Sequence, residues 1–274
     1  MYKPFTLLVL SAMILSSCSQ TTSLNLHEGK EATAVVYEEV PADFVPRKLT
    51  VISAGDSLTQ GIGDSTKKGG YLPYLRTMLE DEKGIKEVDF LNFGIKGNRT
   101  DQLLKRLQTQ ELKDALQNAD LVILTIGGND IMKVVKDNFY NLQLSDFEKE
   151  REFYINNLYQ IMNTIVQVNP QVCIVLVGLY NPFSQWFSDI KELNQIVYDW
   201  NLAGKRVISN YTNGYFVNIE DLFMNSGENL LYTDNFHPND RGYELIAERL
   251  NETIEERTLP DLVKNAFMVS KEEN

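Results

Sequence analysis

Two histidines stand in the 274-residue chain, His27 and His237. His27 falls in a polar N-terminal stretch without periodicity, so histidine acid–base chemistry has to run through His237. That residue sits in Tyr232-Thr-Asp-Asn-Phe-His-Pro-Asn239, three positions after Asp234. Far upstream, Ser57 lies in Ser53-Ala-Gly-Asp-Ser-Leu-Thr-Gln60, directly after an apolar run. A serine hydroxyl becomes an effective nucleophile when an imidazole takes its proton. The imidazole works best when a carboxylate fixes its tautomer and balances its charge. Ser57, His237 and Asp234 are the parts of such a system.

Other chemistries find less support. One usable histidine and no cysteine cluster make no convincing metal-ligand set, so no metal is expected. No Walker-type glycine loop is present to cradle a phosphate, and no cofactor is expected. Leu58 and Thr59 follow the serine with no glycine two residues on, which disfavours a Gly-x-Ser-x-Gly elbow. The formal net charge is −12, and the basic residues form no stripe, only scattered pairs such as Lys67-Lys68. Phosphate contacts need clustered Lys and Arg, so nucleic acid is excluded as a partner. Oligomeric state is not legible.

The elements that must position these residues alternate in type. Short apolar runs predict strands at Leu49–Ala54, Val88–Asn92, Leu121–Ile126, Val172–Val177 and Tyr215–Ile219. Longer amphipathic runs predict helices at Leu72–Lys83, Thr100–Gln117, Ser145–Val168, Asp189–Tyr211 and Pro238–Glu256. In the third helix Phe153, Tyr154, Leu158, Ile161, Met162 and Ile165 are expected on one core-facing stripe. Five Val/Ile/Leu-rich strands alternating with helices imply an α/β fold, a parallel sheet covered on both faces. Ligands in such sheets bind beyond the carboxyl ends of the strands. Ser57 lies just past the first strand, Gly94 and Gly97 past the second, and Gly127-Gly-Asn-Asp130 past the third, while Asp234 and His237 precede the last helix. Singly, each has a structural alternative as a cap or turn residue. Together they fall at one edge of one sheet.

Four blocks, Gly55-Asp-Ser-Leu58, Asn92-Phe-Gly-Ile-Lys-Gly97, Gly127-Gly-Asn-Asp130 and Asp234-Asn-Phe-His237, occur in this order. In that order the chain closely resembles the SGNH (GDSL-type) hydrolase family of esterases and lipases, over about Leu49 to Leu250. The resemblance implies a flavodoxin-like three-layer α/β/α sandwich. It implies Ser57 as nucleophile, His237 as base and then acid, and Asp234 as the residue orienting His237. It also implies an oxyanion hole made by the backbone N–H of Ser57, the N–H of Gly97 and the side chain of Asn129. Asp56 is read as a turn or cap residue, and Asp130, Asn239 and Asp240 as structural. The implied substrates are carboxylic esters of lipid type, such as lysophospholipids or short acyl esters, with thioesters possible. Two rivals are an O-acetylesterase acting on cell-wall or surface polysaccharide and a non-catalytic surface binding module.

The N-terminus resembles a bacterial lipoprotein signal. Phe5–Leu15 is an apolar run too short for a stable membrane span, and Leu15-Ser-Ser-Cys18 follows it. The expectation is a signal over 1–17, lipidation of Cys18, a tether over 18–47, the hydrolase domain over 48–256 and a tail over 257–274. A flexible stretch of this length reaches roughly 30 Å, which keeps the domain at the extracellular face of the membrane. An alternative is that Ala32–Tyr37 straps onto the domain. Cys173 is expected to be a buried, inert thiol. The aromatic loop Asn181-Pro-Phe-Ser-Gln-Trp-Phe187 is a candidate acyl contact through Trp186, a candidate membrane contact, or ordinary loop packing.

Overall fold

A computed structural model describes residues 46–184, 190–224 and 226–259. The predicted signal, Cys18, nearly all of the tether, Trp186 and residues 260–274 lie outside the described residues.

Strand β1 (Arg47–Gly55) is followed by a short helix α1 (Ser57–Gln60), helix α2 (Leu72–Glu80) and strand β2 (Ile85–Gly94). Then come α3 (Thr100–Arg106), α4 (Gln110–Gln117), β3 (Leu121–Thr125), α5 (Gly128–Asp137) and α6 (Leu144–Val168). Strand β4 (Cys173–Val177), α7 (Lys191–Ile208), β5 (Gly214–Val217), α8 (Glu220–Met224) and α9 (Asp240–Thr253) complete the order. The five strands form one parallel sheet in the order β2-β1-β3-β4-β5. All five predicted strands are present.

Strand alternation explains the layers. In β3, Leu121 and Ile123 face one core and Val122 and Leu124 the other; in β4, Val175 and Val177 oppose Ile174 and Leu176. Strands buried on both faces read as continuous apolar runs because each face needs its own helical cover. The first core is closed by α2 and α9 through Leu75, Leu79, Tyr243, Ile246 and Leu250. The second is closed by α3, α4, α6 and α7 through Leu103, Leu116, Leu158, Ile161 and Trp200. The chain leaves β1 for β2 on one side and returns to β3 on the other, so the order reverses between β1 and β3. A crevice opens beyond the carboxyl ends of strands at such a switch point.

Three expectations are corrected. The helix expected over Thr100–Gln117 is two helices, α3 and α4. The Thr109 hydroxyl donates to the Arg106 carbonyl at 2.7 Å, a local bond that competes with the helical ladder and turns the chain. Phe153 is 53% exposed and does not join the α6 stripe. Its neighbour Tyr154 leads that stripe, and one residue along a helix turns about 100°, enough to carry Phe153 to the surface. Finally, helical chain continues past Glu256 as a π-helical turn, Ile254–Thr258, with Thr258 and Leu259 buried.

Candidate active site

Gly55 ends β1 with φ +149°, and a Cβ there would meet the Thr125 carbonyl oxygen at 2.0 Å. Only glycine allows this close approach of β1 to β3. Asp56 N–H donates to that same carbonyl at 2.9 Å, and its carboxylate accepts from Leu58 N–H at 3.0 Å, capping α1. Ser57 is therefore the first residue of a helix that begins abruptly at the sheet edge. It is 3% exposed.

The Tyr232–Asn239 segment folds back on itself. Tyr232 N–H donates to the His237 carbonyl, and Leu231 bridges Pro238. Asn235 takes the left-handed conformation at φ +53°, which asparagine tolerates. Asp234 Oδ1 accepts from the backbone N–H groups of Phe236 and His237, each at 3.0 Å. Its other oxygen, Oδ2, lies 2.6 Å from His237 Nδ1. His237 Nε2 lies 2.9 Å from Ser57 Oγ, across 180 residues of sequence. With Nδ1 donating to Asp234, Nε2 is free to accept the Ser57 proton. Burial alone would raise the Asp234 carboxyl. The bonds from the His237 ring and the two backbone N–H groups outweigh it and hold the group below its ordinary value. It stays ionised where an imidazolium would need it.

The second and third blocks are tied together. Asn129 Nδ2 donates to the Asn98 carbonyl at 3.0 Å, which leaves one of its two amide protons for another acceptor. Asp130 accepts from the backbone N–H and hydroxyl of Thr100, buried, and so clamps α5 to the start of α3. Asn129 and Asp130 lie inside α5, which starts at Gly128, and so are not its caps. Gly97 adopts φ +80° in the turn after β2. The other amides of that turn are engaged: Ile95 donates to Gly55, Lys96 to Gln60 Oε1 and Asn98 to Ile95. No hydrogen bond engages the Gly97 N–H among the described residues. Arg106 pins the turn by donating to Asn98 Oδ1 and the Phe93 carbonyl. Asn239 caps α9, and Asp240 accepts from Ser65, both as structural residues.

Sequence reasoning did not find Tyr180. Its hydroxyl donates to the Phe236 carbonyl at 2.6 Å, and its ring stacks on Phe223 with centroids 3.9 Å apart. It thereby braces the His237 segment from beyond β4. No local pattern marks a single tyrosine for this task. The larger omission is a cavity with about 850 Å³ of open volume, solvent mouth included, which reaches Ser57. Ile131, Met132 and Val135 of α5, Phe147 of α6, and Leu193, Ile196 and Val197 of α7 line it. Asn181, Pro182 and Phe183 of the aromatic loop also line it.

The match to the GDSL-like lipase/acylhydrolase family spans residues 53–245 and takes in all four blocks. The chain belongs to this family. It is a hydrolase of carboxylic esters with the SGNH fold. An uncharacterised protein of Bacillus subtilis, YpmR, is 32% identical over 254 residues, covering 92% of this chain and 96% of its own. The spore germination lipase LipC of Bacillus licheniformis is 25% identical over 215 residues, covering 74% and 94%. Among solved structures, a lipase from a goat rumen metagenome superposes with TM-score 0.67 at 22% identity, covering 74% and 96%. A mutant of the acetylxylan esterase Axe2 of Geobacillus stearothermophilus gives 0.59 at 18%, covering 77% and 96%. At such identities the two structures speak for the fold alone.

Asp56 is buried beside Ser57, and burial pushes its carboxyl up to about 7, against the bonds from Leu58 N–H and the Thr125 hydroxyl. The folded protein holds this proton more tightly than the unfolded chain does. Its contribution to stability is therefore full below the ordinary value of 3.8 and is lost as pH rises through about 7. That span corresponds to roughly 4 kcal/mol. Asp56→Asn keeps an oxygen for both donors and removes the charge. It should raise the melting temperature at pH 8, with the gain vanishing near pH 4; equal melting curves at pH 8 would show the carboxylate to be solvated.

Proposed function

We propose that Ser57 is the nucleophile of an acyl-enzyme esterase whose acyl group is apolar and of lipid type. His237 Nε2 takes the Ser57 proton as Oγ bonds to the ester carbonyl carbon. The resulting oxyanion is held by the N–H groups of Ser57 and Gly97 and by the free amide proton of Asn129. His237 then gives its proton to the leaving alkoxide. Water, deprotonated by the same imidazole, attacks the acyl-enzyme and releases the acid, and the proton returns to Ser57. Asp234 keeps the imidazole oriented and stabilises its charged form. Asn129→Ala should lower kcat by about 10²- to 10³-fold with KM little changed, as removal of one preorganised donor does. A fall in kcat/KM carried by KM alone would remove Asn129 from the oxyanion site.

One observation carries the choice of substrate: the cavity that reaches Ser57 is walled mainly by Ile, Leu, Val, Met and Phe side chains. A hydroxyl-rich sugar would leave such walls unused, whereas an acyl chain covers them, at about 0.8 kcal/mol per methylene. Turnover of p-nitrophenyl esters of graded length should rise with acyl length before it falls. A preference for acetyl, together with acetate release from purified cell wall, would favour the O-acetylesterase reading instead. Met132 lines the cavity, so Met132→Trp should shorten the preferred chain. Room lost for two methylenes costs about 1.6 kcal/mol, roughly 15-fold in kcat/KM on the longer ester. An unchanged length profile would place the acyl group elsewhere.

The same reading includes a cleaved signal over 1–17, a lipid on Cys18 and a tether over 18–47. Together these would hold the domain at the extracellular face of the cell membrane, beside lipid-borne esters. Its support is the Leu15-Ser-Ser-Cys18 pattern behind a short apolar run. Intact-mass measurement of the membrane-extracted protein tests it: an unmodified Cys18, or a chain still starting at Met1, would end it.

A further inference from the structure

We infer that the connection between α5 and α6 is a docking surface for a zwitterionic lipid layer, and that it sets the mouth of the acyl cavity against that layer. The inference deepens the lipid-ester reading above and rests on it. Phe139 is 72% exposed, Tyr140 99%, Leu142 44% and Leu144 55%. Single exposed apolar side chains are ordinary, but four large ones within six residues are a patch of the kind that marks an interaction site. The Phe139 and Tyr140 rings meet edge to face at 5.5 Å and present their remaining surface to solvent.

The position of this patch follows from element lengths. Helix α5 leaves the active-site edge at Gly128 and runs for ten residues, about 15 Å. Helix α6 returns over 25 residues and delivers the chain to the start of β4, at the opposite edge. It is about 38 Å long, whereas five-residue β4 spans about 17 Å. The amino end of α6 therefore overhangs the edge that carries Ser57 and His237, and the connection crowns that overhang. Val135 before the connection and Phe147 after it both line the cavity, so the patch is continuous with the proposed acyl site along the chain.

Charge selects the kind of surface. From Lys133 to Glu150 three lysines face four acids, and Lys133 is itself paired with Glu150 at 2.9 Å and Asp137 at 3.4 Å. No basic cluster is there to draw anionic headgroups. Apolar burial among uncharged or zwitterionic headgroups is what this surface offers, and binding of that kind is insensitive to salt.

The test uses the full chain carrying Tyr140→Trp, with the unsubstituted chain as the blank for Trp186 and Trp200, and phosphatidylcholine vesicles with or without brominated acyl chains. The signal of the introduced indole should fall roughly two-fold in brominated vesicles, equally at about 0.05 and 0.5 M NaCl. In the otherwise unsubstituted chain, Phe139→Ser with Leu144→Ser should raise the vesicle concentration for half-maximal turnover of a vesicle-borne ester by about five-fold. Turnover of a soluble short-chain ester should stay unchanged. An indole equally bright in both vesicles would overturn the proposal, as would binding that collapses at high salt. Self-association that the double substitution abolishes, without quenching, would assign the patch to a second copy and overturn it as well. A chain that hydrolyses neither ester overturns the ester reading, while the quenching still decides the docking surface.

Discussion

Ser57→Ala should lower turnover of a soluble ester by about 10⁴- to 10⁶-fold while thermal melting shows the protein still folded. Two facts set the size. Ser57 Oγ is the atom that His237 Nε2 meets at 2.9 Å, and no other hydroxyl shares that nitrogen among the described residues. Water admitted to the gap could still be activated by the imidazole, so a residual rate from the oxyanion donors should survive. The fold should tolerate the change because α1 is held by its neighbours. Asp56 caps it, Gly61 closes it, and the Thr59 hydroxyl bonds to Thr125 at 2.8 Å beneath it. Covalent labelling by a fluorophosphonate should vanish with the hydroxyl. Retained turnover would mean another nucleophile, and absent labelling of the unsubstituted chain would revive the binding-module reading.

Asp234→Asn is expected to lower kcat by about 10⁴-fold at neutral pH, the scale that a wrong imidazole tautomer costs in serine hydrolases of unrelated fold. The carboxylate has two tasks here, and the substitution separates them. Oδ1 accepts the Phe236 and His237 backbone N–H groups, which an amide oxygen can also do. Oδ2 accepts from His237 Nδ1, and an amide nitrogen placed there would donate instead. The ring would then carry its proton on Nε2 and could not accept one from Ser57. Melting temperature should therefore move little in Asp234→Asn but fall in Asp234→Ala, which strips both backbone donors of their acceptor. Equal losses of activity and of stability in the two variants would make Asp234 a turn residue and nothing more.

The order of the four blocks, their placement at strand ends and the layered α/β architecture were all legible in the sequence. They are local: a strand covered on both faces must be apolar along its length, and a chain that crosses the sheet edge between strand and helix leaves its polar turn residues there. Even the distant meeting of Ser57 with His237 was implied, because only one edge of a parallel sheet receives these turns. Tertiary structure alone decided what no window of residues encodes. Sequence already set Asp234 beside His237 and left Asp56 and Asp130 as structural acids, but not what each of those two holds. Folding makes Asp130 a buried clamp on Thr100 and Asp56 a buried cap with a raised proton affinity. The break at Thr109 and the exposure of Phe153 escaped pattern reading because one hydroxyl and one step of helical rotation decided them. The cavity walls come from α5, α6, α7 and the turns after β4, and their side chains are ordinary core residues until packing leaves a gap among them. The sequence carries the candidate reacting groups; the shape of the space beside them exists only once distant apolar faces have met.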